Sequence, residues 1–319
     1  MDKKFIIDLF NEIVIYIKKN HFQTNLINWS KLDTKTNLKL FNKINSIKDI
    51  SIYLNKYIFS KFKDNYHSTY TLYDKNNIYS NKHTRKYRKS SFKKYYKNPK
   101  EVFSQIPEIK IIENNILYIK APRTWQDITF EKYYTIINNA LKNWKKYNGI
   151  IYDLSECLGG YYVPIIAPFY QIFGETIIAH GYNNYNKKQC FTQYLTKGKK
   201  NNIDSFVKEK KFTQKKITNK SISPIKIAVI TSSYTGSAGE FATLFFMNRK
   251  NVKIFGEKTA NMTTWQNVHT LLDKKSNINI GLAYAIDRNN KTYKNKFYII
   301  PDIKTKIPIQ KSIEWILSQ

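Results

Sequence analysis

The sequence predicts an α/β protein in which a mostly parallel sheet is flanked by helices and preceded by a helical N-terminal module. Three observations carry this reading. Apolar residues in the first 63 or so positions recur at helical spacing, with no strong strand signal. From residue 109 onward, short Ile-rich runs alternate with helical stretches, the order of a parallel sheet whose crossovers are helices. Two of those runs end in turns built from Gly, Ser and Thr, and in such sheets chemistry collects at the carboxyl ends of strands.

The first helix follows from Ile6, Leu9, Phe10, Ile13, Val14 and Ile17, which share one face. Lys3 and Lys4 stand ahead of an apolar stretch, as in a secretion leader. Asp8, Asn11 and Glu12 interrupt that stretch, so an amphipathic helix of the fold is the better reading. No other run approaches the length of a membrane span, and the chain is expected to remain in the cytoplasm unless another export route serves it. Ser46 precedes the helical pattern of Ile50, Leu54 and Ile58 as an N-cap. This module covers residues 1–74 and ends in a segment around His67. Residues 75–108 form a basic variable stretch in which Lys82, Arg85, Arg88, Lys93 and Lys94 lie among Asn, Ser and Tyr without an apolar period. A loop or irregular hairpin fits it, and the charge over 82–100 also suits a dock for an anionic partner.

The remaining residues, 109–319, form the core. Ile109, Ile111 and Ile112, then Ile116, Leu117, Tyr118 and Ile119, read as two strands around the turn Glu113-Asn114-Asn115. A helix is predicted from Phe130 to about Lys146, and a second from about Pro164 to Phe173. Between them a buried strand from Gly149 to Leu154 runs into Ser155-Glu156-Cys157-Leu158-Gly159-Gly160. The strand from Lys226 to Ser232 feeds a helix that begins near Ser237, and Val252 to Gly256 is a further strand.

Composition narrows the function. With 319 residues, 42% of them hydrophobic, the chain is long and apolar enough for a packed core. A formal charge of +31 suggests nucleic acid at first sight. The basic residues are nearly all lysine, however, with arginine only at Arg85, Arg88, Arg123, Arg249 and Arg288, and base readers favour the rigid arginine fork. Specific nucleic-acid recognition is therefore not expected. Cys157 and Cys190 make no disulfide framework, and the five histidines lack metal-ligand spacing, so neither a metal nor another cofactor is expected.

The turn Thr231–Glu240 links a strand to a helix and places Ser237 at the first helical turn. Unpaired backbone amides and the positive end of the helix dipole stabilise a developing oxyanion there. Ser237 is the candidate nucleophile, with a plain N-cap as the alternative. The pair Gly159-Gly160 lets backbone N–H groups approach a substrate with no side chain in the way. One of them, with the N–H of Ala238, would make a two-donor oxyanion hole, and an ordinary strand-to-helix turn is the alternative.

Together these residues resemble the tail-specific, or C-terminal processing, serine peptidases and their tricorn-like relatives. Cores of that family show a strand ending in Asp-Leu-Arg-x-Asn-x-Gly-Gly, then Thr-x-Ser-Ala-x-Glu, then Gly-Glu-x-Thr-x-Gly. Here Asp153–Gly160 keeps both ends of the first motif without its Arg and Asn, and Thr235-Gly236-Ser237-Ala238-Gly239-Glu240 is a complete second motif. The third reads Gly256-Glu257-Lys258-Thr259-Ala260-Asn261, Pro301-Asp302 matches a closing strand, and Ile27–Leu32 resembles an early tryptophan helix. The resemblance implies a crotonase/ClpP-like core, peptide or protein substrates, and hydrolysis through a Ser237 acyl-enzyme. Gly159 or Gly160, with Ala238, would form the oxyanion hole.

Departures from the pattern shape the expected mechanism. Asn261-Met262-Thr263-Thr264 follows the third motif without a lysine, so no Ser–Lys dyad is assigned. The histidine-base branch carries Asp-x-His-Ser, and Asp64-Asn65-Tyr66-His67-Ser68 is one residue longer, which makes His67 the candidate general base. Tricorn-like enzymes orient that imidazole with a glutamate before the closing Pro-Asp. Asn295 stands there instead, leaving Asp287 and Ser68 as orienting candidates. The stretch between His67 and Ile109 is too short for an inserted PDZ domain, which needs roughly 80 residues. The altered glycine motif and the missing glutamate sustain a second reading, an inactive relative that binds peptides or proteins.

Overall fold

A computed structural model describes residues 2–33, 37–64, 67–75, 77–81, 106–124, 128–182, 191–211, 222–293 and 298–318. The chain divides into two compact units. One comprises residues 1–99, 183–188 and 264–284, the other 100–182, 189–263 and 285–319. Its strands are β1 Thr69–Asp74, β2 Asn77–Ser80, β3 Glu108–Ile112, β4 Ile116–Lys120, β5 Gly149–Asp153, β6 Thr176–Tyr182, β7 Phe191–Leu195, β8 Val207–Lys211, β9 Ile222–Thr231, β10 Lys250–Gly256, β11 Thr264–Thr270, β12 Asn277–Ile286 and β13 Ile303–Lys304. Among the described residues no helix is long and apolar enough to cross a membrane.

In the first unit the predicted helix forms over Lys3–Asn20 and buries Ile6, Leu9, Phe10, Ile13 and Ile17. These side chains share a core with Ile47, Ile50 and Leu54 of the Ile47–Leu54 helix, Tyr70 and Leu72 of β1, and Ile278 and Ile280 of β12. Ser46 caps the second helix as expected, its Oγ accepting the Asp49 N–H at 3.2 Å. β1 pairs antiparallel with β2 and with β12, and β12 pairs antiparallel with β11. The hairpin β11–β12 thus shares a core with the N-terminal stretch. Pairings such as Tyr70 with Ile278 join positions far apart in sequence, and local periodicity carries no trace of them.

The second unit holds a six-stranded sheet in the order β13-β10-β9-β5-β4-β3. Every neighbouring pair is parallel except β3 with β4. Beside it β6, β7 and β8 form an antiparallel meander. The α/β class stands, but the expectation of a mostly parallel fold is corrected: it describes one sheet, while β1 with β2 and β12, β11 with β12, β6 with β7, and β7 with β8 pair antiparallel. Strands such as Phe191-Thr192-Gln193-Tyr194-Leu195 mix polar and aromatic residues and give a weak signal. Two helices are shorter than predicted. Phe130–Leu141 gives way to a tight turn at Trp144–Lys146, and the Pro164 to Phe173 stretch breaks into three short pieces around Pro168, which has no N–H to donate.

Alternation along β5 sends Ile151 and Tyr152 to opposite faces of that sheet. Ile151 packs with Ile116, Ala228, Phe255 and Ile316 of the Pro308–Leu317 helix. Gly149 admits that helix closely, since a methyl there would lie 2.4 Å from Ile316 Cγ2. On the other face Tyr152 meets the Phe169 ring at 4.8 Å and the Phe246 ring at 5.3 Å. Ser46→Ala is expected to lower the unfolding free energy by about 1 kcal/mol, read as a lower urea midpoint at unchanged slope.

Candidate active site

β5 and β9 lie side by side and end together, and their following loops are tied by side chains of the serine turn. Thr235 Oγ1 donates to the Leu154 carbonyl at 2.8 Å, Ser232 Oγ to the Ser155 carbonyl at 2.5 Å, and the Gly236 N–H to the Cys157 carbonyl at 3.0 Å. A third loop joins through the Ala260 N–H, which donates to the Thr235 carbonyl at 2.8 Å. The three sequence motifs therefore meet at the carboxyl ends of the parallel strands.

Ser237 immediately precedes the Ala238–Phe246 helix with φ 50° and ψ −111°. An ordinary N-cap is extended, whereas this backbone sits in a region that costs a non-glycine residue about 1–3 kcal/mol. A serine held in a strained strand-to-helix turn is the arrangement that exposes a nucleophile. Gly159 lies directly against it: a Cβ built there would stand 3.2 Å from Ser237 Cβ and 3.7 Å from Ser237 Oγ. Thr124 fixes the neighbouring backbone, donating its N–H to the Gly159 carbonyl at 3.2 Å and accepting the Tyr161 N–H on Oγ1 at 2.6 Å. Neither bond uses the Gly160 amide. Gly160 has φ 109°, and a side chain there would meet the Thr124 carbonyl at 1.9 Å. The Gly159 amide donates to the Cys157 thiol, which burial pushes up to about 12.

Glu240, three residues past the serine, is fully buried. Its Oε2 accepts the N–H groups of Ser237 at 3.1 Å and Met262 at 2.8 Å. Oε1 accepts the Asn261 N–H at 3.1 Å and the Thr259 hydroxyl. Burial pushes this carboxyl up to about 8, against the four donors that each hold it down. The complete Thr-x-Ser-Ala-x-Glu motif thus hides a strut between the serine and the third loop. Its sequence signal was the motif itself, but the partners were not legible there.

In the other unit His67 Nδ1 lies 2.6 Å from Thr264 Oγ1. Burial pushes the imidazole down to about 4, opposed by the Asp64 carboxylate, so it is neutral at pH 7. Asp64 shapes the segment: its carbonyl accepts the His67 N–H at 3.2 Å and its Oδ2 the Ser68 N–H at 2.9 Å. Burial raises the Asp64 carboxyl, but His21, Ser68 and His67 outweigh it and leave the pKa lowered. Ser68 Oγ takes the Gly281 N–H at 2.9 Å and His21 Nε2 at 3.0 Å. His21 Nδ1 accepts the Gln23 N–H at 3.0 Å, which leaves the proton of the neutral ring on Nε2, facing Ser68. Asp287 accepts the N–H groups of Asn289 at 2.9 Å and Lys291 at 3.0 Å and the Tyr293 hydroxyl at 3.3 Å, ordering its own turn. The hydroxyl on His67 Nδ1 belongs to Thr264, where the sequence pointed to Asp287 or Ser68. A threonine opening a strand gives no distinctive signal. Asn295, Cys190 and the basic 82–100 segment lie outside the described residues.

The sequence profile of peptidase family S41 matches residues 115–305. The nisin-resistance protein of Lactococcus lactis is 32% identical over 210 residues, a match that covers 65% of this chain and 62% of that protein. The chain therefore spans about 62% of the length of this curated relative. A solved lipoprotein from Streptococcus agalactiae superposes with a TM-score of 0.66 at 20% identity, covering 97% of this chain and 95% of that one. A candidate peptidase from Parabacteroides merdae gives a TM-score of 0.54 at 14% identity over 98% and 97% of the two chains. At these identities the two solved structures speak for the fold.

Two outcomes follow from this chemistry. In Glu240→Gln either amide orientation sets an NH2 group against a backbone N–H, so stability should fall by about 1–3 kcal/mol. The pH dependence should peak near 6.5. His67 and His180, both lowered to about 4, and His21, also lowered, bind protons more readily when unfolded, so stability falls as pH drops below 6.5. Glu240, raised to about 8, binds its proton more tightly when folded, so stability also declines from pH 6.5 to 8. Chemical denaturation across this range should show both limbs, and Glu240→Gln should lack the alkaline one.

Proposed function

Since the chain belongs to peptidase family S41, we propose that it is a serine peptidase of the tail-specific type, with Ser237 as nucleophile and His67 as general base. Ser237 Oγ attacks a peptide carbonyl carbon while His67 takes the hydroxyl proton. The tetrahedral intermediate collapses to an acyl-enzyme as the imidazolium returns that proton to the leaving amine, and water repeats the sequence to release the acid. The amides of Gly160 and Ala238 receive the oxyanion, because the Gly159 amide is engaged by Cys157. The observation that carries the reading is the Ser237 backbone at φ 50° with Gly159 against it, a strain that capping alone does not require.

A base lowered to about 4 is fully available at neutral pH but weak, and its conjugate acid returns a proton readily. Such a base suits a slow enzyme. The second reading, an inactive relative that binds peptides or proteins, draws on the hydroxyl rather than carboxylate at His67 Nδ1 and on Ser155 and Cys157 in the glycine motif.

Intact mass after incubation with a fluorophosphonate decides between them. One adduct on the parent, absent in Ser237→Ala and slowed about a hundredfold or more in His67→Ala, supports the peptidase. A folded parent without an adduct supports the binding protein. Because the Lactococcus lactis relative is named for nisin resistance, nisin belongs among the peptides whose cleavage is then followed by mass.

A further inference from the structure

The surroundings of His67 contain an unresolved proton account. Thr264 opens β11 and is fully buried. Its Oγ1 sits 2.6 Å from His67 Nδ1 and 2.7 Å from Gln266 Nε2. Gln266 Oε1 is itself buried and, among the described residues, has no hydrogen-bond partner. A register shift in the β11–β12 ladder falls between Trp265 and Gln266, and such a bulge re-aims side chains beside functional sites.

A hydroxyl donates one proton and accepts two. For His67 to act as a base through Nε2, its own proton must rest on Nδ1, and Thr264 Oγ1 must accept it. Thr264 then needs an acceptor for its hydroxyl proton. A half-turn of the Gln266 carboxamide supplies one: it places Oε1 on Thr264 Oγ1, giving that oxygen a donor, and carries the Nε2 amino group to the position Oε1 held. The result is a directed chain from Nδ1–H to Oγ1–H to the amide oxygen. Among the described residues the charged group facing His67 is Asp64, held by the Ser68 amide and by His21, and it lies outside this relay.

We propose that Thr264 and Gln266 are the positioning residues of His67, a neutral hydroxyl–amide relay that fixes the Nδ1–H tautomer in the place where serine-hydrolase triads carry a carboxylate. The inference rests on His67 being the general base. A neutral relay selects the tautomer without stabilising the imidazolium, in keeping with an imidazole that stays unprotonated well below pH 6.5.

The test is 15N NMR of histidine-labelled full chain, with His67→Gln to assign the signal, on the parent, Thr264→Val, Thr264→Ser and Gln266→Leu. The parent should show the Nδ1–H tautomer, Thr264→Val and Gln266→Leu should lose that preference, and Thr264→Ser should keep it. Fluorophosphonate labelling should slow about tenfold to a hundredfold in Thr264→Val and recover in Thr264→Ser. An Nε2–H tautomer in the parent, or a tautomer indifferent to both Thr264→Val and Gln266→Leu, overturns the relay. If Thr264→Val does not fold, Gln266→Leu and Thr264→Ser decide alone. A relay that behaves as expected in a parent that never labels leaves the positioning intact and removes the peptidase reading instead.

Discussion

The buried carboxyl of Glu240 is the point on which the serine turn depends. Three backbone amides and one hydroxyl converge on it from both sides, and removing that acceptor would strand every one of them. One amide is that of Ser237, whose backbone angles are unfavourable alone and persist only because the surroundings over-determine them. The other donors belong to residues 259–262, so one side chain binds the helix start to the loop after β10. Gly239 completes the fit, for a side chain there would strike the Cys157 carbonyl at 2.4 Å.

Ser237 and His67 are held by different physical means, each within its own unit. Ser237 is fixed by backbone hydrogen bonds and steric closeness, in a turn where amides and a helix dipole supply the polarity. His67 is fixed through Asp64, Ser68 and His21, a buried polar cluster whose members satisfy one another. Polar clusters of that kind tolerate little change, since loss of one member leaves another buried without a partner.

Much of the parallel sheet was legible because Ile-rich runs bounded by Gly, Ser and Asn report local structure directly. The meeting of Gly159 with Ser237 was legible for a further reason: adjacent parallel strands deliver their carboxyl-terminal loops to one edge. What stayed hidden was non-local. The pairing of β1 with β12 and the approach of Thr264 to His67 arise between residues with no shared periodicity, and a single hydroxyl has no motif. The break at Pro168 is legible in principle, since a proline inside a helical pattern removes a backbone donor and ends the helix.

Cys157 lies behind this turn, buried, its sulfur bonded to the Gly159 amide and its carbonyl to the Gly236 amide. A thiol held up to about 12 is almost wholly protonated in ordinary buffers and does not react as a thiolate. The sulfur therefore becomes a gauge of the turn: an alkylating reagent reaches it only when the glycine and serine loops part, and its rate of modification counts those openings.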